Sequence, residues 1–250
     1  MTSKTVAKAP APLAITMGDP AGIGPEIVIK AFCEAPELVR GAFVAGDVEC
    51  MRRAASMLAK PGAPAMPVAA IDDPAEAWAV PPGCVPVLQV VGEVPDVVLG
   101  QVSAAAGRAA GDAVTWAARA ALAGSIAAIV TAPLHKEALS AAGFDFPGHT
   151  ELLQSEAARH LGRTVGQVPV RMMLANDELR TVLVSIHVSL RAAIEAVNFD
   201  GVLQTLRITH EALSRALGQA PRVAVAGLNP HAGEGGLFGS EEQAIIAPAI

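Results

Sequence analysis

The chain has 250 residues, 52% of them hydrophobic and 17% charged, with a formal net charge of −6. That is enough apolar chain to bury a large core or two. The negative balance, with no Lys/Arg cluster, argues against a nucleic-acid partner. There is no tyrosine, which excludes the dehydrogenases whose proton donor is a Tyr paired with a Lys.

Three cysteines, Cys33, Cys50 and Cys84, show no CxxC or metal-type spacing and read as reduced thiols in a cytosolic protein. Met1 to Pro12 carries Pro and Lys and reads as a disordered tail. The apolar run Leu13 to Met17 is too short for a signal-peptide core, and no stretch approaches a membrane span. A soluble, cytoplasmic protein is expected.

Leu13 to Met17 predicts a buried strand, followed by Gly18-Asp-Pro-Ala-Gly-Ile-Gly24 and a helix opening at Pro25, with Ile27, Val28 and Ala31 on its apolar stripe. A strand, a Gly-rich loop and a helix start resemble an anion cradle. A tight turn that needs glycine is an equal reading, because the spacing is neither GxGxxG nor GxxxxGK[ST]. Phe43 to Gly46 predicts a second strand, with Asp47 capping a helix through Lys60. Val68 to Ile71 and Val85 to Val90 predict further strands. Gln101 to Gly124 predicts a long Ala-rich helix capped by Ser103, and Ile126 to Thr131 a strongly buried strand.

Beyond Thr131 come a short helix at Leu134-His-Lys-Glu137 and a helix from Glu151 to Leu161 capped by Thr150. Val168 to Leu174 and Thr181 to Ile186 predict strands flanking the turn signal Asn176-Asp177. Helices follow at Ser189 to Val197 and Phe199 to Leu217. Val223 to Leu228, β-branched and apolar, predicts a buried parallel strand. The glycine-rich loop after it carries His231 and Glu234, and Ser240 opens a helical pattern with Glu241 and Glu242 in its first turn. Strands alternating with helices predict an α/β fold, mainly parallel, with a domain boundary near Thr131. The domains are then 1–131 and 132–250.

Four of the six histidines fall in loops or at expected strand ends: His135, His149, His187 and His231. His160 and His210 fall inside amphipathic helices. His187 and His231 each close an expected strand, so both could reach one ion at the carboxyl edge. Imidazole suits Zn, Co and related ions, and a catalytic site takes about three protein ligands with one position open. No HExxH-type spacing is present.

Gly18-Asp-Pro-Ala-Gly-Ile-Gly-Pro-Glu26, Thr131-Ala-Pro-Leu-His-Lys136, Gly148-His-Thr-Glu151, Ser185-Ile-His187 and Asn229-Pro-His-Ala-Gly-Glu-Gly-Gly236 together resemble the 4-hydroxythreonine-4-phosphate dehydrogenase family. The match runs in order from Leu13 to Ile250. The resemblance implies an isocitrate/isopropylmalate-dehydrogenase-like fold, with two α/β domains, mainly parallel sheets, an interdomain cleft and a homodimer. It implies NAD- or NADP-dependent oxidation of 4-phosphohydroxy-L-threonine, with decarboxylation, in pyridoxine and pyridoxal phosphate biosynthesis. His149 and Thr150 match its substrate-binding pair. His187 and His231 match ligands of a divalent metal (Zn, Mg or Co) whose site is completed across the dimer interface. Lys136 is a weaker candidate for proton transfer or anion binding.

The family runs on past Ile250, through a third metal histidine, substrate-binding Lys, Asn and Arg residues and much of the nicotinamide site. The expectation is therefore of a truncated chain, without assigned cofactor-binding residues. Two other readings stay open. One is a related dehydrogenase for a four-carbon sugar-acid phosphate or a cyclic diol; the other is an inactive remnant.

Overall fold

A computed structural model describes residues 10–250, so most of the expected N-terminal tail, residues 1–9, lies outside the described residues. The chain divides into two compact units, one ending at Val168 and the other spanning Pro169–Ile250.

The first unit is built on a five-stranded sheet. Its strands are β1 (Leu13–Thr16), β2 (Ala42–Gly46), β3 (Val68–Ile71), β4 (Val85–Gln89) and β5 (Ala128–Thr131), in the order β3-β4-β2-β1-β5. All pairs are parallel, with Leu13 opposite both Ala42 and Ala128. Every residue of β2 is buried, as expected of a central parallel strand covered on both faces. Helices α1 (Gly24–Glu34) and α2 (Val48–Met57) join the first strands. Asp47 caps α2 by accepting from the Cys50 amide at 2.6 Å, as its position before the helix predicts.

The long helix α3 (Ala104–Leu122), capped by Ser103 as expected, carries α4 (Lys136–Ala141) and α5 (His149–His160) on its surface. Two glycines make this possible. A Cβ on Gly107 would run into the Ala138 carbonyl, and one on Gly111 into the Phe144 ring. Arg108 seals the contact, donating to the Ala142 carbonyl with its guanidinium 5.2 Å from the Phe144 ring centre. Thr131, where the sequence places the boundary between 1–131 and 132–250, is the last residue of β5. The helices α4 and α5 that follow it pack on α3 within the same unit.

The second unit holds an antiparallel hairpin of β6 (Met173–Ala175) and β7 (Arg180–Val182), then α6 (Leu190–Glu195) and α7 (Phe199–Leu217). The Asn176 side chain makes the turn, accepting from the amides of Glu178 at 2.9 Å and Leu179 at 2.7 Å. Both strands are shorter than Val168–Leu174 and Thr181–Ile186 led one to expect. The strand expected at Val223–Leu228 does not form: residues 221–227 have no regular structure, and Val223 is 43% exposed. The physical reason is pairing. A parallel strand exists only where a neighbour meets its donors and acceptors, and among the described residues this unit's only sheet is the hairpin. Val223 to Ala226 instead lines a 600 Å³ cavity opposite Thr181, Val182 and α7.

Candidate active site

The carboxyl ends of β1 and β5 lie side by side, and the two loops leaving them are bonded together. The buried Thr16 hydroxyl accepts from the Ala132 amide at 3.3 Å, and the Asp19 amide donates to the Pro133 carbonyl at 2.9 Å. Gly18, at φ +75°, allows this approach. Within the loop, the buried Asp19 carboxylate accepts from the Ala21 amide at 2.8 Å. The expected anion cradle is thus a tight turn whose own carboxylate takes one of its donors. A 220 Å³ cavity opens at this edge, lined by Asp19, Ile23, Gln101, Pro133 and His135 among others. Beyond Asp19's place in the Gly18–Glu26 motif, the sequence marks Asp19 and Gln101 for this cavity only by their positions beside Gly18 and Gly100 at element ends.

His135 faces that cavity and also caps α4, its Nδ1 accepting from the Ala138 amide at 3.4 Å. Lys136 is the first residue of α4 and is exposed.

Thr150 was expected to cap the helix carrying Glu151. The helix instead starts one residue before Thr150, at His149, with Gly148 in the cap position and no side chain bonding its first amides. Glycine is an accepted N-cap, and the consequence is chemical: the Thr150 hydroxyl is not used as the cap. The His149 imidazole is half-buried, and its buried Nε2 has no hydrogen-bond partner. Burial pulls its pKa below the ordinary histidine value, while the nearby Ala132 carbonyl pulls weakly the other way. Near neutral pH the ring is therefore uncharged. An unsatisfied buried ring nitrogen beside an uncapped helix start offers a hydrogen bond and a positive dipole end to an anionic ligand.

His187 and His231 both belong to the second unit, and both have left-handed backbone, at φ 55° and 52°. Non-glycine residues seldom adopt this conformation, and they concentrate at functional sites when they do. His187 is exposed and lies beyond the end of β7 at Val182, in a bend rather than at a strand terminus. His231 is exposed in the glycine-rich loop, with its ring 6.0 Å from the Phe238 ring. From His231 through Gly235 five consecutive residues are left-handed, including Ala232 and Glu234.

This costly turn is tied at its base. Glu242 Oε1 accepts from the amides of Leu228 at 2.7 Å and Asn229 at 2.6 Å, and its Oε2 accepts from Asn229 Nδ2 at 3.0 Å. Those bonds, the Asn229 amide foremost, pull the Glu242 carboxyl down to about 2. Glu241 Oε2 also accepts from Asn229 Nδ2, at 2.7 Å. A first-turn acid in the sequence proves to be a loop anchor. Among the described residues no three His, Cys, Asp or Glu side chains gather as a complete cation site. Two imidazole side chains still fit the donor chemistry of Zn or Co, better than that of Mg, which prefers oxygen.

The profile of the family described as "Pyridoxal phosphate biosynthetic protein PdxA" matches residues 39–250. The chain is 49% identical over 244 residues to a 4-hydroxythreonine-4-phosphate dehydrogenase of Beijerinckia indica, covering 96% of this chain and 67% of that protein. It is 41% identical to a D-threonate 4-phosphate dehydrogenase of Pectobacterium atrosepticum, covering 95% and 70%. The crystal structure of 4-hydroxythreonine-4-phosphate dehydrogenase from Klebsiella pneumoniae superimposes with a TM-score of 0.82 at 37% identity, over 98% of this chain and 70% of that one. The fold is thus of the isocitrate/isopropylmalate-dehydrogenase-like α/β type expected from the sequence. Having matched the family profile over most of its length, the chain belongs to the PdxA family of pyridoxal phosphate biosynthetic proteins, an oxidoreductase family of dehydrogenases.

Proposed function

We propose that this protein oxidises the hydroxyl β to the carboxylate of 4-phosphohydroxy-L-threonine, with NAD or NADP taking the hydride. The product is a β-keto acid that loses CO2 to give 3-amino-2-oxopropyl phosphate. The reaction belongs to pyridoxine and pyridoxal phosphate biosynthesis in the cytoplasm. The names of the relatives support this, and one observation carries it into the site: the partnerless, buried Nε2 of His149 at the uncapped start of α5.

His149, uncharged near neutral pH, orients the substrate through that nitrogen, and Thr150 adds a hydroxyl that the helix does not use. The first amides of α5 favour an anionic group on the substrate. Lys136, at the start of α4, is assigned to proton transfer or anion binding. His187 and His231 hold the divalent cation, Zn or Co by their chemistry, in a site completed by a second copy in a homodimer. When bound, the cation lowers the pKa of the reacting hydroxyl and stabilises charge on that oxygen as CO2 departs.

The D-threonate 4-phosphate relatives give a second substrate of the same class, a hydroxyl beside a carboxylate with a terminal phosphate. Following reduced-cofactor absorbance with each compound, with Zn, Co or Mg added, separates the two. His149→Ala should raise KM and leave metal content unchanged. His187→Ala or His231→Ala should abolish metal-dependent turnover, whereas His160→Ala and His210→Ala should change it little. Turnover of neither compound, or loss of metal in His149→Ala, overturns the assignment.

A further inference from the structure

The left-handed loop from His231 to Gly235 is held by one carboxylate that lies beyond it in the chain, bonded back to the residues before it. Two backbone amides and one side-chain amide, from Leu228 and Asn229, all converge on Glu242. The glycines of the loop are fitted to the same carboxylate. A Cβ on Gly233 would sit 2.9 Å from Glu242 Oε2, and one on Gly227 3.3 Å from Oε1. Opposite, a Cβ on Gly239 would meet the Asn229 side chain that bridges Glu241 and Glu242. Two small positions and three donors thus face the Glu242 carboxylate, and a third small position makes room for the Asn229 side chain bonded to it. The loop they fasten is the one that turns His231 outward.

We propose that Glu242 is a positioning residue for His231: it sets the entry of the chain into the left-handed turn, and so fixes where the imidazole stands for a divalent cation. The proposal rests on the reading of His231 as a metal ligand. The geometry explains why a plain turn would not serve. Left-handed backbone is disfavoured for residues other than glycine, so His231, Ala232 and Glu234 keep it only where something outside the turn holds it. Two backbone amides fixed on one carboxylate supply that hold at the residues just before Pro230, whose ring restricts the next step of the chain. Groups that orient a metal-binding histidine without touching the ion change affinity by about 10- to 100-fold when removed.

Co2+ alone is the probe, read by its visible absorption in the 250-residue chain, and every variant is checked by thermal unfolding. Glu242→Ala should weaken Co2+ binding about 10-fold or more, with faster amide exchange at Leu228 and Asn229. Glu242→Gln keeps an oxygen for the two backbone amides but turns an NH2 toward Asn229 Nδ2, so its affinity should fall between the two. That graded order is not expected of a merely structural residue, which would lower the unfolding midpoint and leave affinity alone. His231→Ala is the reference, expected to remove binding. If His231→Ala loses Co2+ while Glu242→Ala and Glu242→Gln bind it like the unaltered chain, the positioning role is overturned and the ligand reading stands. If His231→Ala binds Co2+ as the unaltered chain does, the ligand reading fails and the proposal with it.

Discussion

The amide of Asp19 donates to the carbonyl of Pro133 at 2.9 Å, joining the loop after β1 to the loop after β5. With the β1–β5 pairing and the Thr16–Ala132 bond, it ties together two segments more than a hundred residues apart, at the edge where the Asp19–His135 cavity opens. It forms because Gly18 presents no side chain: a Cβ there would lie 2.5 Å from the same Pro133 oxygen and 3.0 Å from the Ala132 Cβ.

Gly18→Ala should therefore destabilise the first unit by about 2 kcal/mol or more, from left-handed backbone and the clash with backbone together. A loss of that size lowers the unfolding midpoint by about 6 °C. Gly62, also at positive φ but with nothing near its Cβ, should lose less on the same substitution. Equal losses at the two positions, measured by calorimetry, would show that the approach to Pro133 contributes nothing.

His149 gives a pH dependence with a defined sign. Burial lowers its pKa in the folded chain, so between that value and the ordinary ~6.5 the unfolded chain binds more protons. Stability therefore falls as pH drops below about 6.5 toward the folded value and levels off beneath it. Above that interval the contribution is constant. His149→Gln should remove this part of the pH profile in urea unfolding. An unchanged slope in the variant would assign the acid sensitivity to other groups.

Glu156, 3% exposed, accepts from Arg119 Nε at 2.8 Å and from Arg159 Nη1 at 2.8 Å, tying α5 to α3. Both arginines are 59% exposed, so water screens their side of the pair. Glu156→Gln should cost about 1–2 kcal/mol rather than the ~3–5 of breaking a fully buried pair. A double-mutant cycle with Arg119→Ala should return a favourable coupling; a coupling of zero would mean that α5 is held by its apolar contacts alone.

Much of the first unit is legible in the sequence because its signals are local. The runs Leu13–Ile15 and Ala42–Ala45 are apolar, Asp47 and Ser103 stand where caps stand, and strands alternate with helices. The motifs around His149, His187 and His231 name the family without any coordinates. What only tertiary structure decided is whether each local preference finds partners. Val223 to Leu228 reads as a strand, yet among the described residues no neighbouring strand meets its amides and carbonyls, and the run stays irregular. Thr150 reads as a cap, yet the helix starts before it and releases its hydroxyl. Glu242 reads as an ordinary first-turn acid. Its part in holding the His231 loop follows from bonds to Leu228 and Asn229, and hydrogen bonds between residues distant in the chain leave no periodic trace in it.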